Sequence, residues 1–514
     1  MAHLLFNQPI LMKNILKKKL LRTGIVLFLA TVSAISLYKL ASTKEEYTNG
    51  THRYFRESVN NNINTSTAEE KTVLSSPASL KNQQKIIKAS VTGAPKTLPL
   101  YGFNGEATNA PLWSDTAYLN AASSIPFKII RYPGGSNSNW WDWKTGSIIK
   151  QTEVAFDLPA KRAKARPRYG ASHDLSDLKI LVNKTQCHVV FCLNMISKQM
   201  DDQIEMLQNA QSMGIPVERV ELGNEFYLYS KNTVPGATDF SDPAVYGKAA
   251  NQWILAIKKV FPNVKIAVIG STGNELWNTG VLKNAPDADA IVAHIYPLAK
   301  NILDQSGINF SRLYQSVQNK ASRFYVPEKL AVWVTEYNIN WKYTGKKNEE
   351  ENQKIKKYSN TWGQTLATVL LTSAISTSFP LSVALNQSLP APALDKENAW
   401  QKKPNGIGMD LWLTACSNMN NMQKIEMGMK DSDVLGWKFS NSVTRKKSYL
   451  LANFTLQDIT VDLSAVVAGG EAYKTQFADK ETIISGPNDV QAENGVLTGK
   501  LLKLPPYSIA IVGQ

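Results

Sequence analysis

VELGNEF, from Val220 to Phe226, and VWVTEYN, from Val332 to Asn338, are the stretches that decide the fold. Each is a short apolar run of β-prone residues that ends abruptly in a glutamate flanked by polar and aromatic neighbours. Parallel strands that are buried on both faces have this character. The two stretches therefore predict two buried strands, each of which carries one carboxylate, Glu225 or Glu336, to an open rim.

Further short apolar runs repeat this pattern and alternate with helix-period segments. The predicted strands are 98–104, 127–132, 189–194, the Glu225 strand, 265–270, 290–294, the Glu336 strand and 381–385, and the predicted helices include 201–213, 244–261 and 361–375. Asp242 and Pro243 resemble a cap and first turn of the second helix. Strands that alternate with helices indicate an α/β fold, and eight of them suggest a closed (β/α)8 TIM barrel.

The C-terminal part of the chain has a different pattern. Short β-rich runs separated by Gly, Asn and Asp turns predict an antiparallel β-sandwich over 426–514. The barrel is assigned to 85–425, although a strand-like stretch from 86 to 98 could join the sandwich before the barrel begins. A chain of 514 residues suits one large barrel with an accessory domain.

The first 84 residues resemble a targeting segment followed by a linker. Five basic residues between Lys13 and Arg22 precede an apolar run from Thr23 to Tyr38, which approaches the roughly 18 to 20 residues that span a bilayer. Residues 1–41 are therefore interpreted as a signal peptide or as an uncleaved N-terminal membrane anchor. Residues 42–84 are polar and predict a disordered linker. Either alternative predicts an exported chain that is secreted, periplasmic or held at the cell surface.

The spacing of the cysteines and the lack of cofactor-binding motifs in the sequence argue against metal or cofactor chemistry. Cys187 and Cys192 flank a predicted strand, where residues five apart are too distant for a disulfide. With Cys416 they are expected to be small buried hydrophobic residues. The sequence contains neither a zinc-ligand pattern, a phosphate-cradling glycine loop nor a dinucleotide fingerprint. We therefore expect an activity without a metal or a cofactor.

The charge of the chain bears on its partners. The formal net charge is +15, and six of these charges lie in the first 41 residues, which leaves +9 for the rest. A basic exported protein could favour an acidic polysaccharide, with the KRAKARPR run from Lys161 to Arg168 as a recognition loop. A solvated basic loop is the simpler interpretation of that run and is preferred. A nucleic acid partner is not expected for an exported chain of this organisation.

Two glutamates at strand ends predict glycoside hydrolysis. Cleavage of a glycosidic bond needs one carboxyl group to protonate the leaving oxygen, and a second to attack the anomeric carbon or to activate water. The surroundings of the two groups must push their pKa values apart. In a (β/α)8 barrel the catalytic groups lie at the carboxyl ends of the strands, where Glu225 and Glu336 are expected.

Four motifs in order resemble a known group of enzymes. Asn224-Glu225, the HIY run from His294 to Tyr296, and Glu336 resemble the retaining glycoside hydrolases of clan A, whose acid/base follows strand 4 and whose nucleophile follows strand 7. Upstream, RYPGG from Arg131 to Gly135, followed by NWWDW from Asn139 to Trp143, is similar to the strand 2 region of α-L-arabinofuranosidase-like and heparanase-like members. The resemblance covers roughly residues 98–514 and implies a carbohydrate substrate.

The resemblance implies a role for each residue around the two acids. Glu225 would be the general acid/base and Glu336 the nucleophile, with structural ion pairs as the alternative. Asn224 would bind the sugar 2-hydroxyl, or else end the strand in an Asx turn. Tyr296 would donate to the nucleophile, and His294 would line the pocket unless it is a satisfied core histidine.

Other substrate-binding candidates come from the first two strands and the loop after the second. The charge of Arg131, at the end of strand 2, would keep Glu336 ionised, although a buried structural salt bridge predicts the same residue. Trp140 and Trp141 could stack on the apolar faces of a sugar, or they could anchor their long loop. Asn104, at the end of the first strand, completes this set.

The sequence thus predicts an exported retaining glycoside hydrolase that cleaves a poly- or oligosaccharide by double displacement. One alternative is an endo-acting hydrolase of acidic glycans that is similar to heparanase or to a glucuronidase. The other is a carbohydrate-binding surface protein that has kept the barrel without activity. The particular sugar does not follow from the resemblance, because members of such folds share their acids and differ in their loops.

Overall fold

The computed structural model describes residues 85–154, 172–229, 240–341 and 349–513, and it confirms the predicted fold class. The predicted targeting segment 1–41, the linker 42–84 and the basic run from Lys161 to Arg168 lie outside the described residues. None of the described helices is both long enough and apolar enough to cross a bilayer.

Eight parallel strands close into a barrel in which each strand pairs with its neighbours in the chain, and the last pairs with the first. Their bounds are β1 Leu100–Asn104, β2 Ile129–Tyr132, β3 His188–Cys192, β4 Arg219–Glu221, β5 Lys265–Ile269, β6 Ala290–Ile295, β7 Ala331–Tyr337 and β8 Leu381–Asn386. The described α-helices are α1 Thr116–Ser123, α2 Leu175–Thr185, α3 Met200–Ser212, α4 Pro243–Val260, α5 Glu275–Asn284, α6 Ala299–Ile302, α7 Phe310–Ala321, α8 Glu349–Lys357, α9 Trp362–Ser378 and α10 Pro404–Ala415.

The barrel is packed on both sides of its sheet, which explains the continuous apolar runs of the sequence. Every residue of β6 is buried. Side chains such as Val190, Val292 and Trp333 form one buried cluster contributed by several strands. A much larger cluster contains apolar residues of the helices and of other strand positions. Layers of this kind fill the interior of a TIM barrel, so the site must lie at its rim.

The predicted strands and helices agree with the observed ones to within three residues at each end, except at β4. This strand ends at Glu221, four residues before Glu225. The chain leaves the extended conformation because Gly223 and Glu225 have positive φ angles of 86° and 49°. Glu225 therefore stands on a loop that follows the strand, and the sequence run VELGNEF overstated the strand's length.

The sandwich contains an antiparallel sheet and a smaller mixed sheet around its own buried cluster, and in the smaller sheet Lys85–Lys88 pairs in parallel with Ile459–Asp462. The larger sheet is formed by Ser90–Val91, Asn421–Glu426, Val434–Ser440, Lys447–Asn453, Ser508–Val512, Ala472–Phe477 and Gln491–Val496, with Lys96–Thr97 beside its second strand. The smaller sheet is formed by Lys85–Lys88, Ile459–Asp462 and Leu501–Leu504.

The border between barrel and sandwich agrees with the stated alternative at the N-terminal end and differs from the predicted one at the C-terminal end. Lys85–Lys88 pairs with Ile459–Asp462, so the start of the described chain belongs to the sandwich and the barrel begins at Leu100. The sandwich resumes at Asn421, five residues before the predicted border at 426. Its strand NMQKIE was missed because asparagine, glutamine and lysine have low β propensity, and pairing with Val434–Ser440 stabilises it instead.

The three cysteines are free and buried, which confirms the prediction that they are small hydrophobic residues. Burial raises the pKa of Cys187 to about 11, and it raises the pKa values of Cys192 and Cys416 to about 12. All three therefore stay protonated at neutral pH and lack the reactivity of a thiolate.

Candidate active site

The loop after β4 holds Asn224 and Glu225 at the rim. Asn139 fixes this loop from the neighbouring connection: its Nδ2 donates to the Asn224 carbonyl at 2.8 Å, and its Oδ1 accepts from the Asn224 amide at 2.9 Å. Glu225 itself adopts the left-handed conformation, which costs a non-glycine residue about 1–3 kcal/mol. The surrounding contacts therefore impose the position of Glu225.

Glu336 lies inside β7 and is held at both oxygens. Arg131 Nη1 donates to Oε1 at 2.7 Å, and the Tyr296 hydroxyl donates to Oε2 at 2.8 Å. A register shift between β6 and β7 sets His294 opposite Glu336. The Glu336 side chain is 9% exposed, and two strong donors fix its carboxylate.

Glu225 is paired with a histidine and a tyrosine. Its Oε1 lies 2.8 Å from His294 Nδ1 and accepts from the Tyr227 hydroxyl at 3.2 Å. The other ring nitrogen of His294 lies 3.1 Å from Thr335 Oγ1, which fixes the plane of the imidazole. The Glu225 side chain is 19% exposed, about twice as much as that of Glu336. The two acids therefore have different partners and different access to solvent.

The two carboxyl groups and the imidazole form one cluster. The cluster contains one carboxylate oxygen of Glu225, one of Glu336 and a ring nitrogen of His294, and these three atoms lie within 4.8 Å of one another. Among the described residues, no other group of three His, Cys, Asp or Glu side chains is placed so that it could hold a metal ion. Such a set could hold a divalent cation. However, His294 Nδ1 already faces Glu225 Oε1, and the Tyr296 hydroxyl already occupies Glu336 Oε2. This arrangement favours proton transfer between the groups.

The electrostatics of the cluster favour a carboxylate beside an imidazolium. Burial works to raise the pKa of Glu225, but the hydrogen bond and charge of His294, together with Tyr227, lower that pKa below its usual value. Burial works to lower the pKa of His294, but the charges of Glu336 and Glu225 raise it above its usual value. His294 is therefore a functional partner of Glu225 in geometry and charge, and not an isolated core histidine.

Arg131 lies beneath this cluster and is completely buried. Its Nε and Nη2 donate to the two oxygens of Glu221 at 2.9 and 2.6 Å, while Nη1 reaches Glu336. The Arg131 side chain has no exposed surface, so this structure does not support direct binding of substrate by Arg131. Its Nη1 donates to Glu336 and orients that carboxylate, which agrees with the alternative of a buried salt bridge.

Glu221 is a site residue that the sequence reasoning missed. It is fully buried and forms a bidentate ion pair with Arg131. A glutamate within the apolar run of β4 was the signal that could have identified it, because a buried carboxylate requires a cationic partner. Tyr227 was also missed, although it follows Glu225 by only two residues.

The two predicted asparagines also contact Arg131. Asn224 Oδ1 accepts from Nη2 at 2.8 Å, and Asn104 Oδ1 accepts from Nη1 at 3.3 Å. Asn224 Nδ2 donates to Ser136 Oγ at 3.4 Å, and the residue is 1% exposed. Asn104 is fully buried, and its Nδ2 has no partner among the described residues. A direct contact of Asn104 with substrate is therefore not supported.

The tryptophans of the loop after β2 do not form a platform for a sugar. Trp140 and Trp141 are 1% and 2% exposed, so neither indole offers a face for stacking. Trp141 donates to the Tyr132 hydroxyl at 3.2 Å and packs edge-on against that ring. The prediction that these two residues bind substrate is wrong, because the loop folds inward and uses them as anchors.

A third carboxyl group, Glu106, lies in the connection after β1. It has a positive φ of 44° and accepts from Asn109 Nδ2 at 3.2 Å. Burial and the charge of Glu336 raise its pKa above the usual value. The sequence reasoning missed Glu106, although it stands only two residues after Asn104.

Gly134 is required by the packing behind Glu336. Its φ is +84°, and a Cβ atom there would overlap Asn104 Oδ1, which accepts from Arg131. We expect Gly134→Ala to lower the free energy of unfolding by about 1–3 kcal/mol, as measured in denaturant. Gly486→Ala is the matched control, because Gly486 is extended and no atom lies within 4 Å of its added Cβ. Equal stability of the two variants would contradict this account.

The fold is shared with solved glycoside hydrolases. The chain matches no protein-family model and no curated protein sequence. It is similar to the α-L-arabinofuranosidase of Thermotoga maritima, with 14% identity and a TM-score of 0.60 over 83% of this chain and 98% of that one. It is also similar to a 4-O-α-L-rhamnosyl-β-D-glucuronidase of Fusarium oxysporum 12S, with 11% identity and a TM-score of 0.56 over 84% and 100% of the two chains.

A xyloglucanase of glycoside hydrolase family 44 from Paenibacillus polymyxa gives a comparable result, with 11% identity and a TM-score of 0.56 over 83% of this chain and 99% of that one. At these identities the common property is the fold. The resemblance to clan A glycoside hydrolases is therefore confirmed for the architecture, which extends over nearly the whole length of each of these structures.

Proposed function

We propose that this chain is a retaining glycoside hydrolase that cleaves a poly- or oligosaccharide by double displacement. The observation that carries the proposal is the pair of Glu225 and Glu336, whose nearest oxygens lie within 4.8 Å of each other. Carboxyl groups about 5–5.5 Å apart are typical of retaining enzymes, whereas inverting enzymes keep about 6.5–9.5 Å free for a water molecule. The short separation therefore supports a covalent mechanism.

Glu336 is the proposed nucleophile. Two donors, Arg131 and Tyr296, bind its two oxygens and orient the carboxylate for attack. In the first step an oxygen of Glu336 forms a bond to the anomeric carbon as the bond from that carbon to the leaving oxygen breaks. The leaving oxygen receives a proton from Glu225, so the charges balance.

Glu225 is the proposed acid and then the base. In the free site His294 keeps the pKa of Glu225 low, but a bound sugar would exclude water and raise that pKa, since burial disfavours the charged carboxylate. The protonated form of Glu225 then donates its proton to the leaving oxygen. In the second step Glu225 removes a proton from water, which attacks the anomeric carbon and releases Glu336.

The stereochemistry of the product tests this proposal. The full chain is assayed against a panel of aryl glycosides and of neutral and acidic polysaccharides, and the first-formed anomer is identified by proton NMR. Retention of the anomeric configuration is expected. Inversion would overturn the double-displacement mechanism, and binding of glycans without any hydrolysis would favour the carbohydrate-binding alternative.

Replacing His294 by glutamine is expected to move the basic limb of the pH profile of kcat/KM to higher pH. The charge and hydrogen bond of His294 lower the pKa of Glu225, so their loss lets Glu225 keep its proton to higher pH. The basic limb of kcat/KM, which reports the acid in the free enzyme, should therefore move to higher pH.

His188→Gln is the control for this variant. His188 begins β3 and lies 2.7 Å from the surface residue Glu218, away from the carboxyl ends of the strands. Its replacement should leave the profile unchanged. A basic limb that stays in place, or moves to lower pH, in His294→Gln would contradict the pairing of His294 with Glu225.

We also propose that the chain is exported. The proposal is supported by the basic residues and apolar run within 1–41, followed by the polar stretch 42–84. Fractionation of cells that produce the full chain, with N-terminal sequencing of the product, tests it. Recovery of the uncleaved chain in the cytosol alone would overturn the proposal, and the sequenced N-terminus distinguishes a cleaved signal peptide from an anchor.

A further inference from the structure

A groove of ≈ 470 Å³ lies beside the barrel mouth. One wall is the loop after β5, with Thr272 and Gly273, and the other is helix α7 with the residues that follow it. We call this feature the basic groove, and the residues used below are Thr272, Gly273, Arg312, Asn319, Lys320 and Arg323.

The basic groove is connected to the proposed catalytic cluster. The Thr272 hydroxyl donates to the His294 carbonyl at 3.2 Å, so the loop wall contacts the end of the strand that supplies the partner of Glu225. Both Thr272 and Glu225 follow barrel strands at their carboxyl ends, which meet at one face of the barrel. A polymer bound at Glu225 and Glu336 could therefore continue into the groove.

The charge of the basic groove has no internal compensation. Arg312, Lys320 and Arg323 line it, and no acidic residue does. Within the described ranges none of these three cations forms an ion pair, and Arg312 makes its hydrogen bond to the Leu303 carbonyl. By contrast, Lys258 and Lys265 on the barrel surface both pair with one aspartate. Three neighbouring cations without an acidic partner form a site of positive potential.

Lys320 strengthens this observation because it is not a fully solvated side chain. It is partly buried on α7, and burial lowers its pKa with no acidic group acting against that effect. An ammonium group that has lost part of its water without gaining a carboxylate gains the most from an added anion.

The lining argues for a glycan over a nucleic acid. Sites for single-stranded nucleic acid combine a basic surface with aromatic side chains on which bases stack. The residues that line the basic groove include no aromatic side chain, and the cations stand among amides and hydroxyls such as Asn319 and Thr272. These groups suit the hydroxyls, carboxylates and sulfates of an acidic sugar chain.

We propose that the basic groove is an anionic subsite, which binds carboxylate or sulfate groups of an acidic polysaccharide whose glycosidic bond lies between Glu225 and Glu336. The inference rests on the proposed function and names its substrate class. Carboxylates and sulfates share the chemistry that the three cations recognise, and the two are separated by experiment.

Binding to an inactivated chain tests the subsite independently of turnover. The full chain carrying Glu336→Gln is titrated calorimetrically with an oligogalacturonate, a heparin oligosaccharide and a neutral arabino-oligosaccharide. The double substitution Lys320→Gln and Arg323→Gln should weaken binding of at least one acidic oligosaccharide by about fivefold or more, and should leave the neutral one unchanged. The acidic ligand that loses more affinity identifies carboxylate or sulfate as the preferred group.

Lys248→Gln with Lys259→Gln is the matched control, since both lysines are exposed on α4 and the same charge is removed. Equal weakening in the control would overturn the proposal, because net charge alone would then explain binding. A single-stranded DNA of equal charge that binds as tightly as the acidic glycans would also overturn it.

The outcomes separate this inference from the proposed function. Hydrolysis of glycans by a chain whose binding of acidic oligosaccharides is unaffected by the groove substitutions would leave the enzyme in place and remove the subsite. Groove-dependent binding of acidic oligosaccharides by a chain that hydrolyses none of them would keep the subsite as a glycan-binding site and remove the enzyme.

Discussion

Glu336→Ala is expected to lower kcat/KM for an aryl glycoside by about 10⁴-fold or more, which corresponds to about 5.5 kcal/mol of lost transition-state stabilisation. The substitution removes the atom that forms the glycosyl-enzyme bond, while Arg131 and Tyr296 keep their places around an empty space. Azide is small enough to enter that space and attack the anomeric carbon directly. A glycosyl azide of inverted configuration should therefore form, and NMR of the product identifies it.

Glu225→Ala should respond differently, because it removes a proton donor and leaves the nucleophile. General acid–base catalysis contributes about 10²–10⁴-fold. The loss should be smallest for aryl glycosides whose leaving groups need little protonation, and azide should now give a product of retained configuration.

Glu205→Ala serves as the control for both variants. Glu205 lies on α3, is half exposed and pairs with Lys144 at the surface. Its replacement should leave kcat/KM unchanged. Activity of Glu336→Ala near that of the unaltered chain, or an azide product of the same configuration in both acid variants, would contradict the assignment of the two roles.

Arg131→Met is expected to reduce both stability and activity. Within the described part of the chain, Arg131 is the sole ion-pair partner of the buried Glu221 carboxylate, and it also contacts Glu336 and two asparagines. Removing one member of a buried ion pair leaves an uncompensated charge and costs about 3–5 kcal/mol. The free energy of unfolding, measured in denaturant, should fall by about that amount, and kcat should fall because Glu336 loses one of its two donors.

Two further variants make this prediction specific. Arg219→Met alters an arginine on β4 that pairs with Glu218 near the surface, and it should cost no more than about 1 kcal/mol. Arg131→Met combined with Glu221→Gln removes the stranded carboxylate, and it should recover part of the stability but none of the activity. A double variant less stable than Arg131→Met would contradict the view that Glu221 is buried as a charge balanced by Arg131.

Local sequence patterns were sufficient for the architecture and for the two acids. The continuous apolar runs of β6 and β7 follow from burial on both faces, and helix-period segments between strands follow from packing one face on the sheet. Carboxyl ends of parallel strands meet at one rim, so the acids at 225 and 336 could be brought together without knowledge of any contact. These properties depend on neighbours in the chain, which a sequence contains directly.

The supporting groups of the site depended on contacts between distant segments, and only the tertiary structure decided them. Arg131 meets Glu336 from 205 positions away and Glu221 from 90, so a buried salt bridge could be expected at Arg131, but the acid that forms the bidentate pair with it could not. The local sequence around Trp140 and Trp141 is the same whether the loop turns outward to a sugar or inward to Tyr132, so it cannot distinguish the two conformations. Pattern and periodicity therefore determined the strands and the position of the acids, whereas the closure of the barrel determined which charges became partners and which aromatic rings became core.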